Sequence, residues 1–214
     1  MRVSKKQAAQ NRQKILTAAA RLFREHGISA TGVDAITEDA GLTHGAFYSQ
    51  FGSKEAIAAE ALRETLVGSK RLWRRLLERE GPSKAFPSIV ATYLSPNHRD
   101  FAGRGCAVAA LGSEIARQPV RVRDAFTAEL KEMIEFLATV MPRTGRSRGH
   151  DDAIVALASM AGALILARAV SDERLSNRIL KTTAKRVLHV TRSASPSTVP
   201  GRTSARTKSF RLAK

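Results

Sequence analysis

The sequence predicts an all-α protein: an N-terminal three-helix helix-turn-helix domain joined to a larger C-terminal helical domain. Three observations predict it. Apolar residues recur at three- and four-residue spacing almost throughout, the mark of helices with one buried face. No alternating period-two run of any length appears, so no sheet is expected. Glycine and proline fall between the apolar stripes, where helices stop.

The elements follow in order. Residues 1–9 read as a basic N-terminal arm, and residues 10–56 as the first domain. Ile15, Leu16, Ala19, Leu22 and Phe23 mark the first helix, which Gly27 ends. Thr31 is the expected N-cap of a second helix, with Asp34 completing a capping-box pattern and Val33, Ile36 and Ala40 on its apolar face. Gly41 breaks it. Thr43 caps a third short helix with Ala46, Phe47 and Phe51 facing inward, and Gly52 ends that. Ser53 caps a fourth, with Glu55 at its positive end. The fourth helix is long, carrying Ile57, Ala61, Leu62, Leu66, Leu72, Trp73, Leu76 and Leu77 as far as Gly81-Pro82. Helices are then expected near 83–95, 105–117, 120–141, 151–170 and 173–190, with Pro96, Pro119 and Pro142 as breakers. Residues 57–192 form the second domain. Residues 193–214 are Ser, Thr, Pro, Gly, Arg and Lys with few apolar residues, a composition expected of a basic disordered tail.

Of 214 residues, 36 are Lys or Arg and 19 are Asp or Glu, a net charge of +17. The excess sits at the ends: residues 1–24 hold seven cations and no acid, and Arg174 to Lys214 is likewise acid-free. A polyanionic partner is the natural implication. Anionic lipid attracts the same charge, but Ala153 to Ala167, the longest apolar run, falls short of the roughly 20 residues that cross a bilayer, and no secretory signal follows Met1. A cytoplasmic protein without a membrane partner is expected. The single cysteine excludes a disulfide framework within the chain.

Enzyme readings find no support. There is no Gly-x-x-x-x-Gly-Lys phosphate loop and no Gly-x-Ser-x-Gly elbow. The histidines at 26, 44, 98, 150 and 189 make no metal pair at helical spacing, and Asp151 and Asp152 beside His150 suit a helix start better than a metal. No cofactor is expected.

The informative segment is Thr31 to Lys54. Two short helices joined at Ala40-Gly41-Leu42-Thr43 have helix-turn-helix spacing, and the second is short, capped and rich in small polar residues that fit a major groove. Gly45 lets backbone approach DNA. His44, Ser49 and Gln50 carry hydrogen-bonding tips, Tyr48 can reach a phosphate, and Lys54 can grip a second.

The stretches Lys14-Ile15-Leu16-Thr17-Ala18-Ala19, Leu22-Phe23-Arg24-Glu25-His26-Gly27, Val33-Asp34-Ala35-Ile36, Ala40-Gly41-Leu42-Thr43-His44-Gly45-Ala46-Phe47-Tyr48 and Ser53-Lys54-Glu55-Ala56, with Thr31 and Phe51, resemble the N-terminal domain of TetR-family transcriptional repressors. The resemblance covers residues 10–60. It implies a bacterial homodimer that binds a palindromic operator in double-stranded DNA and leaves it when a small molecule enters the C-terminal domain. It implies phosphate contacts at Thr31, Thr43, Tyr48 and Lys54, and base contacts at His44, Gly45 and Ser49. His44 departs from the Lys or Arg of many members.

The dimer is expected through the helices near 120–141 and 151–170. Phe126, Leu130, Met133, Ile134 and Leu137 line one side of the first, and Ala153, Ala156, Ser159, Ala163 and Ala167 allow close approach on the second. Trp73, Phe86, Ile89, Tyr93, Phe101, Phe126 and Met133 are candidate pocket liners, though equally good core residues. Cys106, after Arg104-Gly105, is a candidate redox or electrophile sensor, since a helix start and a nearby Arg stabilise a thiolate; some TetR-family sensors are similar there. Cysteine is also a common small core residue. Two rival classes remain: a basic protein that binds DNA without reading sequence, and a helical ligand binder that ignores operators.

Overall fold

A computed structural model of the chain describes residues 4–142 and 149–190. Among these residues there is no strand. The elements in order are α1 (Lys5–His26), α2 (Val33–Ala40), α3 (His44–Phe51), α4 (Lys54–Glu80), α5 (Pro82–Tyr93), α6 (Pro96–Asp100), a 3-10 turn (Ala102–Arg104), α7 (Ala107–Ile115), α8 (Val120–Val140), α9 (Gly149–Ala169) and α10 (Glu173–Val190). The all-α class is as expected. The tail at 193–214 lies outside the described residues.

Three local features depart from expectation. The basic arm is helical from Lys5 onward, because Ser4 caps α1 by accepting from the Gln7 amide at 3.2 Å. Thr31 does not cap α2; Gly32 does, without a side-chain bond. The Thr31 hydroxyl instead donates to the Gly27 carbonyl at 2.7 Å, closing the end of α1. Pro96 does not merely separate helices. It opens α6, where its missing N–H costs nothing, and Ser95 supplies the cap.

The N-terminal unit packs α1, α2, α3 and the start of α4 around Ile15, Ala19, Phe23, Ile36, Phe47 and Ile57, all essentially inaccessible to water. The helix α4 then continues unbroken into the larger domain, where it packs most extensively against α8. That contact contains an ion pair the sequence did not disclose. The Lys70 ammonium is buried and lies 2.8 Å from the Glu129 carboxylate, with Glu132 as a second partner.

The helix expected to form half of the dimer face is instead a core helix. In α8, Val122, Ala125, Met133 and Leu137 are buried, while Phe126, Leu130 and Ile134 pack against the core. Val120 is its one exposed large apolar residue among those described. The helix α9 packs on α7, α8 and α10. Its alanines at 153, 156, 163 and 167 are buried within this protomer rather than offered to another. The outward side carries Ile154, Val155, Ile165 and Leu166, which are 42, 61, 41 and 56% exposed. By length and composition α9 could cross a membrane, yet its inner side is core. Asp151 and Asp152 lie in its first turn, and no metal-binding cluster occurs among the described residues.

Candidate functional site

The turn between α2 and α3 is built locally. Gly41 sits at φ 63°, the left-handed region that glycine adopts without strain, and its amide and that of Leu42 bond back to Glu38 and Thr37. Thr43 then caps α3 by accepting from the Ala46 amide at 3.3 Å. Phe47 and Phe51 bury the inner side of α3, their rings 5.9 Å apart. At 100° per residue, Gly45 and Ser49 fall on the opposite side, one turn from each other, and both are exposed. His44 and Tyr48 flank them, with Tyr48 53% exposed and set edge-on against Phe47.

Gly45 has no internal reason to be glycine. A Cβ there would come no closer than 3.9 Å to any atom, that of the Thr43 hydroxyl. The Ser49 hydroxyl donates to the Ala46 carbonyl at 2.9 Å, leaving its lone pairs outward. His44 is not free: its Nε2 pairs with Asp34 of α2. A base contact by this side chain requires that pair to open. Thr31 is 3% exposed with its hydroxyl committed, so the structure withdraws its side chain from the surface that the other candidates share.

Lys54 stands at the start of α4, beside the Ser53 cap, with its Nζ donating to the Ser29 carbonyl at 3.2 Å. This bond ties the start of α4 to the loop between α1 and α2. The cations of α1 are less available than composition suggests. Arg12 makes a two-pronged pair with Glu60 at 2.5 and 2.6 Å and covers the Phe51 ring. Arg21 pairs with Glu25 and Asp39. Arg24 donates to the Gly103 carbonyl and to Thr65. Lys5, Lys6 and Lys14 remain exposed.

A second site lies between α4, α5 and the start of α7. A cavity of about 160 Å³ is lined by Trp73, Tyr93, Phe101 and Cys106, among others. Three of the seven expected liners are therefore brought together. Phe86, Ile89 and Met133 are core residues, and Phe126 packs against the core; none of the four reaches this cavity. Periodicity marks a residue as inward-facing and cannot separate a cavity wall from solid core.

His98 pins the cavity's rim. Its Nε2 accepts from the Cys106 amide at 2.9 Å, so its Nδ1 carries the proton and donates to the Tyr93 carbonyl at 2.7 Å. A Cβ on Gly105 would lie 2.8 Å from this ring. Burial makes His98 harder to protonate than a free histidine; it outweighs the opposing bond to the Tyr93 carbonyl, and the Arg168 charge adds a smaller push in the same direction as burial. Cys106 caps α7 through its backbone and is 4% exposed. The expected stabilised thiolate fails here, because burial outweighs the helix start and pushes the thiol up. Tyr93 Oη is buried beside the Cys106 thiol, a weak acceptor at most, and no nitrogen or oxygen partner reaches it.

The family model for bacterial regulatory proteins of the tetR family matches residues 15–61, the span from α1 into α4. Residues of the chain are 38% identical over 73 residues to the HTH-type transcriptional regulator AcrR of Shigella flexneri, covering 33% of this chain and 34% of that protein. They are 40% identical over 60 residues to the HTH-type transcriptional repressor KstR2 of Mycolicibacterium smegmatis, covering 28% and 29%. The match thus spans about a third of the length of these curated relatives. A TetR-family transcriptional regulator from Agrobacterium tumefaciens shares the fold, with a TM-score of 0.71, 19% identity, and coverage of 84% of this chain and 98% of that one. The glycine-turned, threonine-capped pair of helices falls within the matched span, so residues 15–61 are similar to the N-terminal domain of bacterial regulatory proteins of the tetR family.

Proposed function

We propose that this chain is a cytoplasmic transcriptional regulator, a repressor, that binds a palindromic operator as a homodimer and is released by a small-molecule effector. The observation that carries the reading is the outward side of α3. Gly45 and Ser49 lie opposite the buried phenylalanines, with open space where a Cβ would stand. Thr43, Tyr48 and Lys54 surround them in reach of phosphate. His44 would contact a base after leaving Asp34. KstR2, named a repressor, supports repression over activation.

One recognition helix reads only a few base pairs, so specificity calls for two, about 34 Å apart. The outward side of α9 supports a twofold interface: Ile154, Val155, Ile165 and Leu166 are exposed apolar residues, and a groove of about 470 Å³ against α10 is lined by Val155, Leu166, Ile179 and Val187 together with Asp152 and Arg186. A contiguous face of this kind marks an association surface. We place the dimer on α9 and α10, in place of the expected pairing of 120–141 with 151–170. The cavity beside Tyr93 is the effector site. An electrophile acting on Cys106 would have to enter that cavity first.

Selecting bound fragments from random DNA tests this reading. A palindrome is expected, with affinity lost by about tenfold in Tyr48→Ala or Lys54→Ala while the fold persists. Recovered fragments without a common sequence, bound with steep salt dependence, would favour the sequence-independent binder. No DNA binding at all would favour the ligand binder.

A further inference from the structure

The effector's chemistry is narrowed by the walls of the cavity between α4, α5 and α7. We propose that this cavity takes a single-ring aromatic carboxylate, with a carboxylate oxygen toward Tyr93 Oη and the ring between Trp73 and Phe101. The proposal rests on the effector-site reading above, but binding itself requires no DNA.

The first observation is the orphaned hydroxyl. Tyr93 is 3% exposed, lines the cavity, and is the one buried side-chain polar atom without a hydrogen-bond partner among the described residues. Buried hydroxyls are nearly always paired, and a bound acceptor would satisfy this one. The phenol is a donor here, so the ligand supplies the acceptor.

The second observation is the sign of the surroundings. No acidic side chain lines the cavity. Arg104 stands at the rim, its guanidinium 5.8 Å over the Phe101 ring. Arg168 lies behind the wall, held by the His98 and Arg99 carbonyls, and comes 3.1 Å from where a Gly105 Cβ would be. The nine-residue α7 starts at this wall with no acidic residue in its first turn, so its positive end adds to the same sign. A cation would be repelled and an anion drawn in. His98 offers nothing to the ligand, since both ring nitrogens are occupied.

The third observation is size and surface. At about 160 Å³ the cavity is smaller than sites for drug-sized ligands. Trp73 and Phe101 offer faces on which a planar ring packs. One ring with one charged substituent fits both limits.

Trp73 is the chain's sole tryptophan, so its fluorescence reports occupancy directly. Full-length protein is titrated with benzoate, benzamide and cyclohexanecarboxylate. Benzoate should change Trp73 emission saturably, with affinity several-fold above either comparison compound. Tyr93→Phe removes an unpaired oxygen at nearly constant volume, so the fold should hold while benzoate affinity falls about tenfold or more. Arg104→Gln should weaken benzoate but leave benzamide unchanged. The proposal is overturned by no saturable response to benzoate, by equal affinity for benzoate and benzamide or cyclohexanecarboxylate, or by an unchanged Tyr93→Phe. Operator binding is measured separately on the same protein. Loss of that binding with benzoate binding intact sinks the regulatory reading alone. Failure of benzoate with operator binding intact sinks the ligand class alone.

Discussion

Glu114 of α7 holds the N-terminal unit to the larger domain, and its removal has a calculable cost. Its carboxylate accepts from the Ile28 amide at 2.9 Å and from the Ser29 amide at 2.6 Å, on the loop just after α1. Such bonds to a charged acceptor are each worth about 1.5–3 kcal/mol when shielded from water. Ser29 is exposed, so water replaces the acceptor there, while the Ile28 amide is partly buried. Glu114→Ala should therefore cost about 2 kcal/mol, a fall of roughly 4–8 °C in Tm for a chain of this size. Burial opposes ionisation of Glu114, but its hydrogen bonds from Ser29 and Ile28 prevail and hold its pKa below the ordinary carboxylate value. A depressed carboxylate contributes stability above its unfolded pKa and loses it as pH falls through the folded one. The gap between wild type and variant should be complete at neutral pH and shrink as pH falls below the ordinary carboxylate range. Thermal denaturation across pH checks both statements. A Tm equal to wild type at neutral pH, or a gap that widens in acid, would refute the clamp.

Gly45→Ala separates folding from recognition: with no neighbour closer than 3.9 Å to the new Cβ, helix propensity should raise stability by about 0.5 kcal/mol, whereas operator affinity should fall at least several-fold. Unchanged affinity would remove Gly45 from the interface. Leu166→Glu puts a charge among the exposed apolar residues of α9, so sedimentation should report a folded monomer; a persisting dimer would place the interface elsewhere. Burial raises the Cys106 thiol, so N-ethylmaleimide should label the native protein far more slowly than a free thiol at neutral pH, and labelling at the free rate would restore an accessible thiolate. If an electrophile still releases operator from Cys106→Ser, sensing by this cysteine is excluded.

What the sequence disclosed was local. Gly41 and Gly52, with their positive φ, and the caps Thr43 and Ser53 act within four residues of themselves, so spacing alone located α2, α3 and the start of α4. Thr31 was misread because its competing acceptor belongs to the preceding helix: the capping pattern was present, but the Gly27 carbonyl took the hydroxyl. Lys70 and Glu129 are 59 positions apart, and no periodicity links them. The orientation of α9 was hidden for a different reason. Both sides of α9 are apolar, so its pattern does not say which side meets this protomer. Ala153, Met160 and Leu164 turn inward, while Ile154, Val155 and Leu166 turn outward, and only packing against α8 and α10 decides between them.

Much of the positive charge on α1 is already paired. A net +17 favours binding to any polyanion. Yet Arg12, Arg21 and Arg24 are committed to Glu60, to Glu25 and Asp39, and to the Gly103 carbonyl with Thr65. They hold α1 to α2, to α4 and to the 3-10 turn, and phosphate would have to break those contacts to recruit them. The cation best fixed near α3 is Lys54, and its anchor is Ser29, whose amide is held by Glu114 and whose hydroxyl accepts from Gln118 at 3.3 Å. Lys54 and α7 therefore meet on one residue. The other end of α7 begins at Cys106 in the wall of the cavity beside Tyr93, two residues past the turn that Arg24 grips. Under the proposed function, a ligand that repositioned that wall would act on both attachments of the N-terminal unit at once, through the nine-residue α7. A protein that bound DNA by unassigned surface charge would have no use for such a connection.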